Sequence, residues 1–224
     1  MEVAKNLMDI QQKILDACQK VGRAAGDITV IGVTKYVTIE RAKEAVDAGV
    51  THLGENRMEG LLEKSEHIEE QAVWHFIGTL QSRKVKEVID QIDYLHSLDR
   101  KSLAKEINKR ANKPIDCFVQ VNVSGEESKH GVKADEVEAF VQNLQEFSNI
   151  RVVGLMTMAP HVEDEAILRH VFRSLRELRN QIQTMNWEHA PCNYLSMGMS
   201  NDYQIAIEEG ATHVRIGSSL VGPY

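Results

Sequence analysis

Residues Ile28–Lys35 read ITVIGVTK, and the fold prediction starts from this segment. The run is rich in β-branched residues, contains no proline, and carries a charge only at its last position. That composition is typical of a buried strand. A helical pattern follows over residues 39–48, with Thr38 as a candidate N-cap and Gly49 as a stop signal. The segment therefore predicts the first strand–helix unit of an α/β fold.

The same strand–helix unit recurs along the rest of the chain. Predicted strands cover residues 28–34, 50–53, 72–77, 92–97, 115–123, 150–156, 193–196 and 213–216. Predicted helices between and after them cover residues 39–48, 57–68, 81–89, 101–111, 134–147, 165–185 and 202–209. A further helix precedes the first strand, because apolar residues recur there at spacings of three and four, at Val3, Leu7, Ile10, Ile14, Cys18 and Val21.

Eight strands alternating with helices in 224 residues predict a single (β/α)8 TIM barrel with an additional N-terminal helix. An open doubly wound sheet is the alternative, but such sheets usually have about five or six strands and a glycine-rich GxGxxG fingerprint. Residues 32–35 read GVTK and do not match it. No linker or repeat divides the chain, so residues 1–224 are predicted to form one domain. The polar insert over residues 124–131 is predicted to be a mobile loop.

Composition argues against several classes of partner. The net charge is −7, from 26 basic and 33 acidic residues, which disfavours nucleic acid and anionic membranes. No apolar stretch approaches the length of a membrane span, and the first twenty residues lack the apolar run of a signal peptide. Cys18, Cys117 and Cys192 are widely spaced and form no CxxC pair. Reduced thiols in a cytoplasmic protein are therefore expected.

Chemistry in a TIM barrel belongs to the C-terminal ends of the strands. Lys35 ends the first predicted strand, where desolvation favours the neutral, nucleophilic amine, although a lysine that has merely left the sheet is the alternative. Residues 196–200 and 217–219 follow the seventh and eighth predicted strands and are rich in glycine and serine. Such loops let backbone N–H groups approach an anion, but ordinary turns have the same composition. Together with Arg215, these features indicate an aldehyde that carries a phosphate, and pyridoxal 5′-phosphate (PLP) fits as an imine on Lys35.

Six short segments carry a family resemblance: residues 33–35 (VTK), 54–56 (GEN), 74–81 (WHFIGTLQ), 154–156 (GLM), 196–200 (SMGMS, with Asp202) and 215–217 (RIG). They resemble the PLP-binding homeostasis proteins, which in turn resemble the barrel domain of alanine racemase. The resemblance covers nearly the whole chain. Arg57 and Arg83 depart from the family pattern, which usually has an aromatic residue and an asparagine at these positions. We expect both arginines beside the mouth of the pocket.

The resemblance implies a role for each of seven cofactor-binding residues. Lys35 would hold PLP as a Schiff base. The phosphate would be held by nearby backbone and by Ser200, Gly217 and Ser218. Arg215 would face the pyridine nitrogen, and Asn56 and Ser196 would line the pocket.

The implied function is a carrier or buffer in PLP homeostasis, without established turnover, that delivers the coenzyme to apo-enzymes. A positive charge at Arg215 disfavours protonation of the ring nitrogen and so weakens carbanion chemistry. Alanine racemases add a tyrosine from a second domain of a partner subunit, whereas this sequence ends at Tyr224. We therefore expect a monomer with negligible racemase activity. Two alternatives stay open, a PLP-dependent amino-acid racemase or lyase and a Schiff-base aldolase acting on a sugar phosphate.

Four histidines fall in predicted strands, at His52, His75, His96 and His213. They could suggest a metal hydrolase, but the sequence has no HxH or HExxH pair, so no metal site is predicted. We expect core histidines whose hydrogen bonds are satisfied. Asp202 is expected to complement the dipole of the helix it begins.

Overall fold

The computed structural model describes residues 2–125 and 130–222. The strands are β1 (Thr29–Val33), β2 (His52–Glu55), β3 (Val73–Phe76), β4 (Tyr94–Leu98), β5 (Ile115–Asn122), β6 (Val132–Lys133), β7 (Ile150–Met156), β8 (Tyr194–Met199) and β9 (His213–Ile216). The α-helices are α1 (Val3–Lys20), α2 (Ile39–Asp47), α3 (Met58–Ile68), α4 (Val85–Val88), α5 (Lys101–Arg110), α6 (Val137–Asn143), α7 (Glu165–Thr184), α8 (Tyr203–Glu208) and α9 (Ser218–Val221).

Eight parallel strands close into a barrel, in the order β1, β2, β3, β4, β5, β7, β8 and β9. The ring closes because β9 pairs with β1 and β4 pairs with β5. Strand β6 is a two-residue addition that pairs with the last two residues of β5. Helix α1 packs against α8 and α9. The predicted (β/α)8 barrel with an additional N-terminal helix is confirmed.

Side chains alternate between the two faces of the barrel wall. On β3, Trp74 and Phe76 pack into the main hydrophobic core, which the barrel shares with its helices. His75, between them, points inward, since its ring lies 5.1 Å from that of His96 on β4 and 6.3 Å from that of His213 on β9. These strands are not all neighbours, so their side chains meet inside the barrel. The helices therefore cover the apolar face, and the polar side chains lie in the interior.

The first strand–helix unit forms as predicted. The Thr38 hydroxyl accepts a hydrogen bond from the backbone N–H of Arg41 at 3.2 Å, which caps α2. Gly49 follows the helix with a φ of 106°, a conformation that favours glycine. The two signals fix where α2 begins and ends, and so where the chain returns to β2.

Three predicted elements differ from those observed by more than two residues at one end or both. The strand predicted over 193–196 is the longer β8, so most of the predicted loop 196–200 is strand. The helix predicted over 81–89 is one α-helical turn between two 3₁₀ turns, and the helix predicted over 134–147 is likewise shortened to α6. The mobile loop predicted over 124–131 falls largely on residues 126–129, which lie outside the described residues.

Cys18, Cys117 and Cys192 are all buried, free cysteines. Burial raises the pKa of Cys192 to about 12, so this thiol stays protonated at neutral pH. Within residues 2–125 and 130–222, no helix has both the length and the apolar character needed to cross a bilayer.

Candidate functional site

A cavity of about 500 Å³ opens where the barrel strands end, as expected for this fold. Its volume lies in the range of pockets that hold small ligands. Six of the seven predicted site residues line it: Lys35, Asn56, Ser200, Arg215, Gly217 and Ser218. The fold therefore brings residues from β1, β2, β8 and β9 to one place.

A buried ion pair places Lys35 and Asn56 side by side. Lys64 of α3 donates to Glu55 Oε1 at 2.8 Å and to the carbonyl of Thr34 at 3.0 Å. The Thr34 hydroxyl donates to the same carboxylate oxygen at 2.7 Å. These contacts tie together the ends of β1 and β2. Lys35 and Asn56 directly follow Thr34 and Glu55, just past the ends of the two strands, and both are half-buried at the cavity.

Tyr36, directly after Lys35, has a φ of 65°, in the left-handed region that is strained for a tyrosine. Its ring centroid lies 5.8 Å from Lys35 Nζ and 5.2 Å from Arg57 Cζ. A hydrogen bond from the Asn56 side chain and the charge of Arg57 lower the pKa of the Tyr36 phenol. Arg57 thus lies beside the mouth as expected, but neither it nor the exposed Arg83 is among the cavity-lining residues of the described chain.

The loops after β8 and β9 meet, as predicted. The backbone N–H of Gly217 donates to Ser200 Oγ at 3.3 Å. Helix α9 begins at the next residue, Ser218, and the first N–H groups of a helix have no acceptor within that helix. Ser200, Gly217 and Ser218 therefore line the cavity together, and their hydroxyls and backbone suit an anion.

Arg215 is a buried cation in the cavity wall, with 5% of its surface exposed. It donates to Ser196 Oγ, and its Nη2 donates to the carbonyl of Thr157 at 3.1 Å. Burial lowers the pKa of its guanidinium to about 10, so it remains charged at neutral pH, and Asp202 acts in the opposite direction. Burial raises the pKa of the Asp202 carboxyl, and a 2.6 Å hydrogen bond from the backbone N–H of Met199 opposes that shift.

The structure places two residues near β8 differently from expectation. Ser196, which the resemblance implied as a pocket residue, is fully buried in contact with Arg215 and is not among the described cavity-lining residues. It lies within β8, which continues to Met199 with an irregular register against β9. Asp202 lines the cavity as well as preceding α8, and its carboxylate accepts from the Met199 N–H and caps no α8 N–H.

Several cavity-lining residues were missed from the sequence: Gln120, His130, His161 and Asn201. Gln120 contributes because the cavity wall uses the side chain two residues before the end of β5. The side-chain amide of Gln120 donates to the carbonyl of His130 at 3.5 Å. His161 follows the predicted strand 150–156, so a survey of whole loops rather than strand ends would have found it. Met158 and Met199, which could equally have been core residues, also line the cavity.

The chain is similar to proteins of one named group. Residues 11–224 match the family model described as alanine racemase, N-terminal domain. The pyridoxal phosphate homeostasis protein of Aquifex aeolicus is 41% identical over 226 residues, covering 99% of this chain and 98% of the relative. The protein of the same name from Escherichia coli K12 is 32% identical, covering 99% of this chain and 96% of the relative.

Solved structures give the same grouping. PipY of Synechococcus elongatus with PLP bound superposes with a TM-score of 0.85 at 26% identity, covering 98% of this chain and 100% of PipY. Alanine racemase from Corynebacterium glutamicum superposes with a TM-score of 0.74 at 15% identity, covering 98% of this chain and 59% of the racemase. The racemase likeness shows the fold alone.

Proposed function

This chain belongs to the family defined by the N-terminal domain of alanine racemase, and on that premise we propose that it binds PLP and acts in PLP homeostasis. One observation carries the proposal. A half-buried lysine, a buried arginine and two joined loops of small residues line a single cavity. These groups match the aldehyde, the ring and the phosphate of PLP. The names of the relatives and the PLP-bound PipY structure support the same ligand.

We propose that Lys35 holds the coenzyme as a Schiff base. The neutral Lys35 amine would attack the aldehyde carbon, forming a C=N bond and releasing one water. Among the described cavity-lining residues, Lys35 is the one lysine. The nearby Lys64 is held in the buried ion pair with Glu55 at 2.8 Å and is not among the described cavity-lining residues.

Ser200, Gly217 and Ser218 are proposed to hold the phosphate, with Asn56 beside the ring. PLP supplies an electron sink when bound, and the proposed place of Arg215, facing the ring nitrogen, would weaken it. A fixed positive charge there disfavours protonation of the nitrogen. No tyrosine is among the cavity-lining residues that the structure describes. We therefore propose a carrier or buffer without racemase turnover, and alanine racemisation at rates typical of dedicated enzymes would contradict it.

We further propose that the protein acts in the cytoplasm, as a monomer whose residues 1–224 form one domain, and that PLP-dependent apo-enzymes receive its coenzyme. Three buried, free thiols suit a reducing compartment. An apo-aminotransferase is mixed with the PLP-loaded protein or with an equal amount of free PLP, each in the presence of a reagent that traps free PLP. If the protein delivers its coenzyme directly, the loaded protein should reactivate the enzyme faster.

The phosphate assignment is tested by titrating PLP and pyridoxal against the wild type and the double variant Ser200→Ala, Ser218→Ala. Charge-assisted hydrogen bonds contribute about 1.5–3 kcal/mol each, so the double variant should bind PLP roughly two orders of magnitude more weakly. Residual binding of pyridoxal, which has no phosphate, should hardly change.

Ser219→Ala is the matched control. Ser219 lies in the same turn of α9 and is exposed, but it is not among the lining residues of the cavity. It should leave PLP affinity unchanged. Equal affinity of the wild type for PLP and pyridoxal would place the phosphate elsewhere.

A further inference from the structure

A chain of hydrogen bonds runs through the barrel interior to Arg215. His52 Nδ1 lies 2.9 Å from His75 Nε2, and His75 Nδ1 lies 2.8 Å from His96 Nε2. His96 Nδ1 lies 2.8 Å from Ser196 Oγ, which accepts a hydrogen bond from Arg215. His52 is the first residue of β2, at the end of the barrel opposite the cavity. The chain therefore connects the two ends of the barrel.

Arginine fixes the direction of every bond in this chain. A guanidinium can only donate, so Ser196 Oγ accepts from Arg215 and its own hydrogen goes to His96 Nδ1. His96 then carries its proton on Nε2 and donates to His75, and His75 in turn donates from Nε2 to His52. If His96 Nδ1 instead donated to Ser196 Oγ, the Ser196 hydroxyl hydrogen would have no acceptor among the described residues, although Ser196 is fully buried.

The chain is electrically neutral apart from Arg215. His75 and His96 are fully buried, and burial holds the pKa of each well below its usual value, with neighbouring histidines adding to the shift. Arg215 also lowers the pKa of His96. A neutral imidazole has one donor nitrogen and one acceptor nitrogen, so each ring accepts a hydrogen bond on one side and donates one on the other. Aligned bonds of this kind polarise one another, which strengthens the bond between Ser196 and Arg215.

We propose that His52, His75 and His96, acting through Ser196, are positioning residues for Arg215. Two guanidinium nitrogens are held, one by Ser196 and one by the Thr157 carbonyl, and Arg215 lines the cavity. The orientation of Arg215, and with it the charge presented to a bound ring, depends on histidines up to the far end of β2. The effect on the pyridine ring rests on the proposed PLP function, whereas the chain of hydrogen bonds does not.

The direct test is ¹⁵N NMR of the imidazoles in the wild-type protein without added ligand. His75 and His96 should both show the Nε2–H tautomer, and neither should become protonated between pH 8 and pH 6. A predominant Nδ1–H tautomer for either ring would overturn the proposal. Because this measurement needs no coenzyme, it tests the direction of the hydrogen bonds even if PLP does not bind and the proposed function fails.

The second test follows the visible absorbance of PLP bound to variants. His75→Leu removes the central link, and His75→Gln restores a side chain that can both donate and accept. His75→Leu removes bonds between neutral rings and weakens the Ser196–Arg215 bond only through polarisation along these hydrogen bonds, so the pH midpoint of the absorbance should move by roughly a few tenths of a pH unit. His75→Gln should recover part of the shift.

His213→Leu is the matched control. His213 is also a buried imidazole, its ring lies 6.3 Å from that of His75, and it is on the same strand as Arg215. Its Nδ1 contacts Thr212 Oγ1 at 2.9 Å, outside the chain. Equal midpoint shifts for His75→Leu and His213→Leu would overturn the proposal. If His75→Leu does not fold, His52→Ala is used in its place. Unchanged NMR signals of His75 and His96 in that variant would also overturn the proposal.

Discussion

The outer and inner faces of β3 and β4 carry opposite chemistry. On β4, Leu95 faces outward and is buried in the apolar core, whereas His96, one residue later, faces inward and is hydrogen-bonded. Apolar burial is non-directional, so the outer face sets stability. Hydrogen bonds are directional, so the inner face sets geometry. Substitutions on the two faces should therefore separate stability from ligand binding.

Acid should affect the inner face most. Burial lowers the pKa of His213 to about 3 and holds the pKa of His75 and His96 well below the usual value. The unfolded chain binds protons near pH 6.5, so stability is present above that pH and is lost as pH falls toward the folded-state pKa. Between pH 7 and pH 5, protonation of the unfolded chain at each of these three histidines should lower the free energy of unfolding by roughly 2 kcal/mol, about 6 kcal/mol in total.

Urea unfolding at the two pH values measures this loss. His213→Gln, which cannot titrate at that position, should reduce it by about a third. His161→Gln, at an exposed histidine, should leave it unchanged. A stability that is flat between pH 7 and pH 5 would show that the interior rings are not held neutral.

The Glu55–Lys64 pair is a charged exception on the outer face. Both side chains are almost completely buried, at 2% and 5% exposure. Lys64→Met leaves the carboxylate without its partner, which should cost roughly 3–5 kcal/mol in the free energy of unfolding. The double variant Glu55→Gln, Lys64→Met should recover part of the loss because no isolated charge remains. If the single and double variants are equally stable, the pair is not coupled.

Leu95→Ala tests the outer face alone. Leu95 is fully buried, and truncation of such a side chain costs about 2–5 kcal/mol. We expect about 3 kcal/mol by urea unfolding, with PLP affinity and absorbance unchanged at a temperature where the variant is folded. A changed absorbance spectrum would show that the two faces are not separable.

Tyr36 should give the smallest effect, at the cavity mouth. Its φ of 65° suits asparagine better than tyrosine, so Tyr36→Asn should raise the free energy of unfolding by roughly 0.5–1 kcal/mol. Tyr36→Phe keeps both the ring and the backbone strain, and serves as the control. Greater stabilisation by Phe than by Asn would argue that the backbone at this residue is not strained.

Periodicity and strand ends were enough to predict the barrel and most of the cavity. All eight barrel strands were expected, and Lys35, Arg215 and Gly217 line the cavity because each lies at or close to a strand end, whereas Asn56 was named through the family resemblance. Parallel strands bring their ends to one rim, so a list of strand ends is also a list of neighbours.

The remaining features depend on contacts that a linear pattern does not contain. Strand β8 continues through Gly198, whose φ is 96° and whose missing Cβ would lie 2.6 Å from Ala206 Cβ. That close approach, rather than a turn, explains the glycine. The interior chain joins His96 to Ser196 across 100 residues, and only closure of the barrel brings them together. The sequence could predict buried, satisfied histidines but not their partners.

Lys35 carries the central claim, and the most direct measurement is borohydride reduction of the PLP-loaded protein followed by peptide mass spectrometry. We expect a single pyridoxyl adduct on Lys35, and we expect the Lys35→Ala variant to fold but show no visible absorbance with PLP. An adduct on Lys64 or on any other lysine of the wild type, or a Lys35→Ala variant that keeps the absorbance, would contradict it.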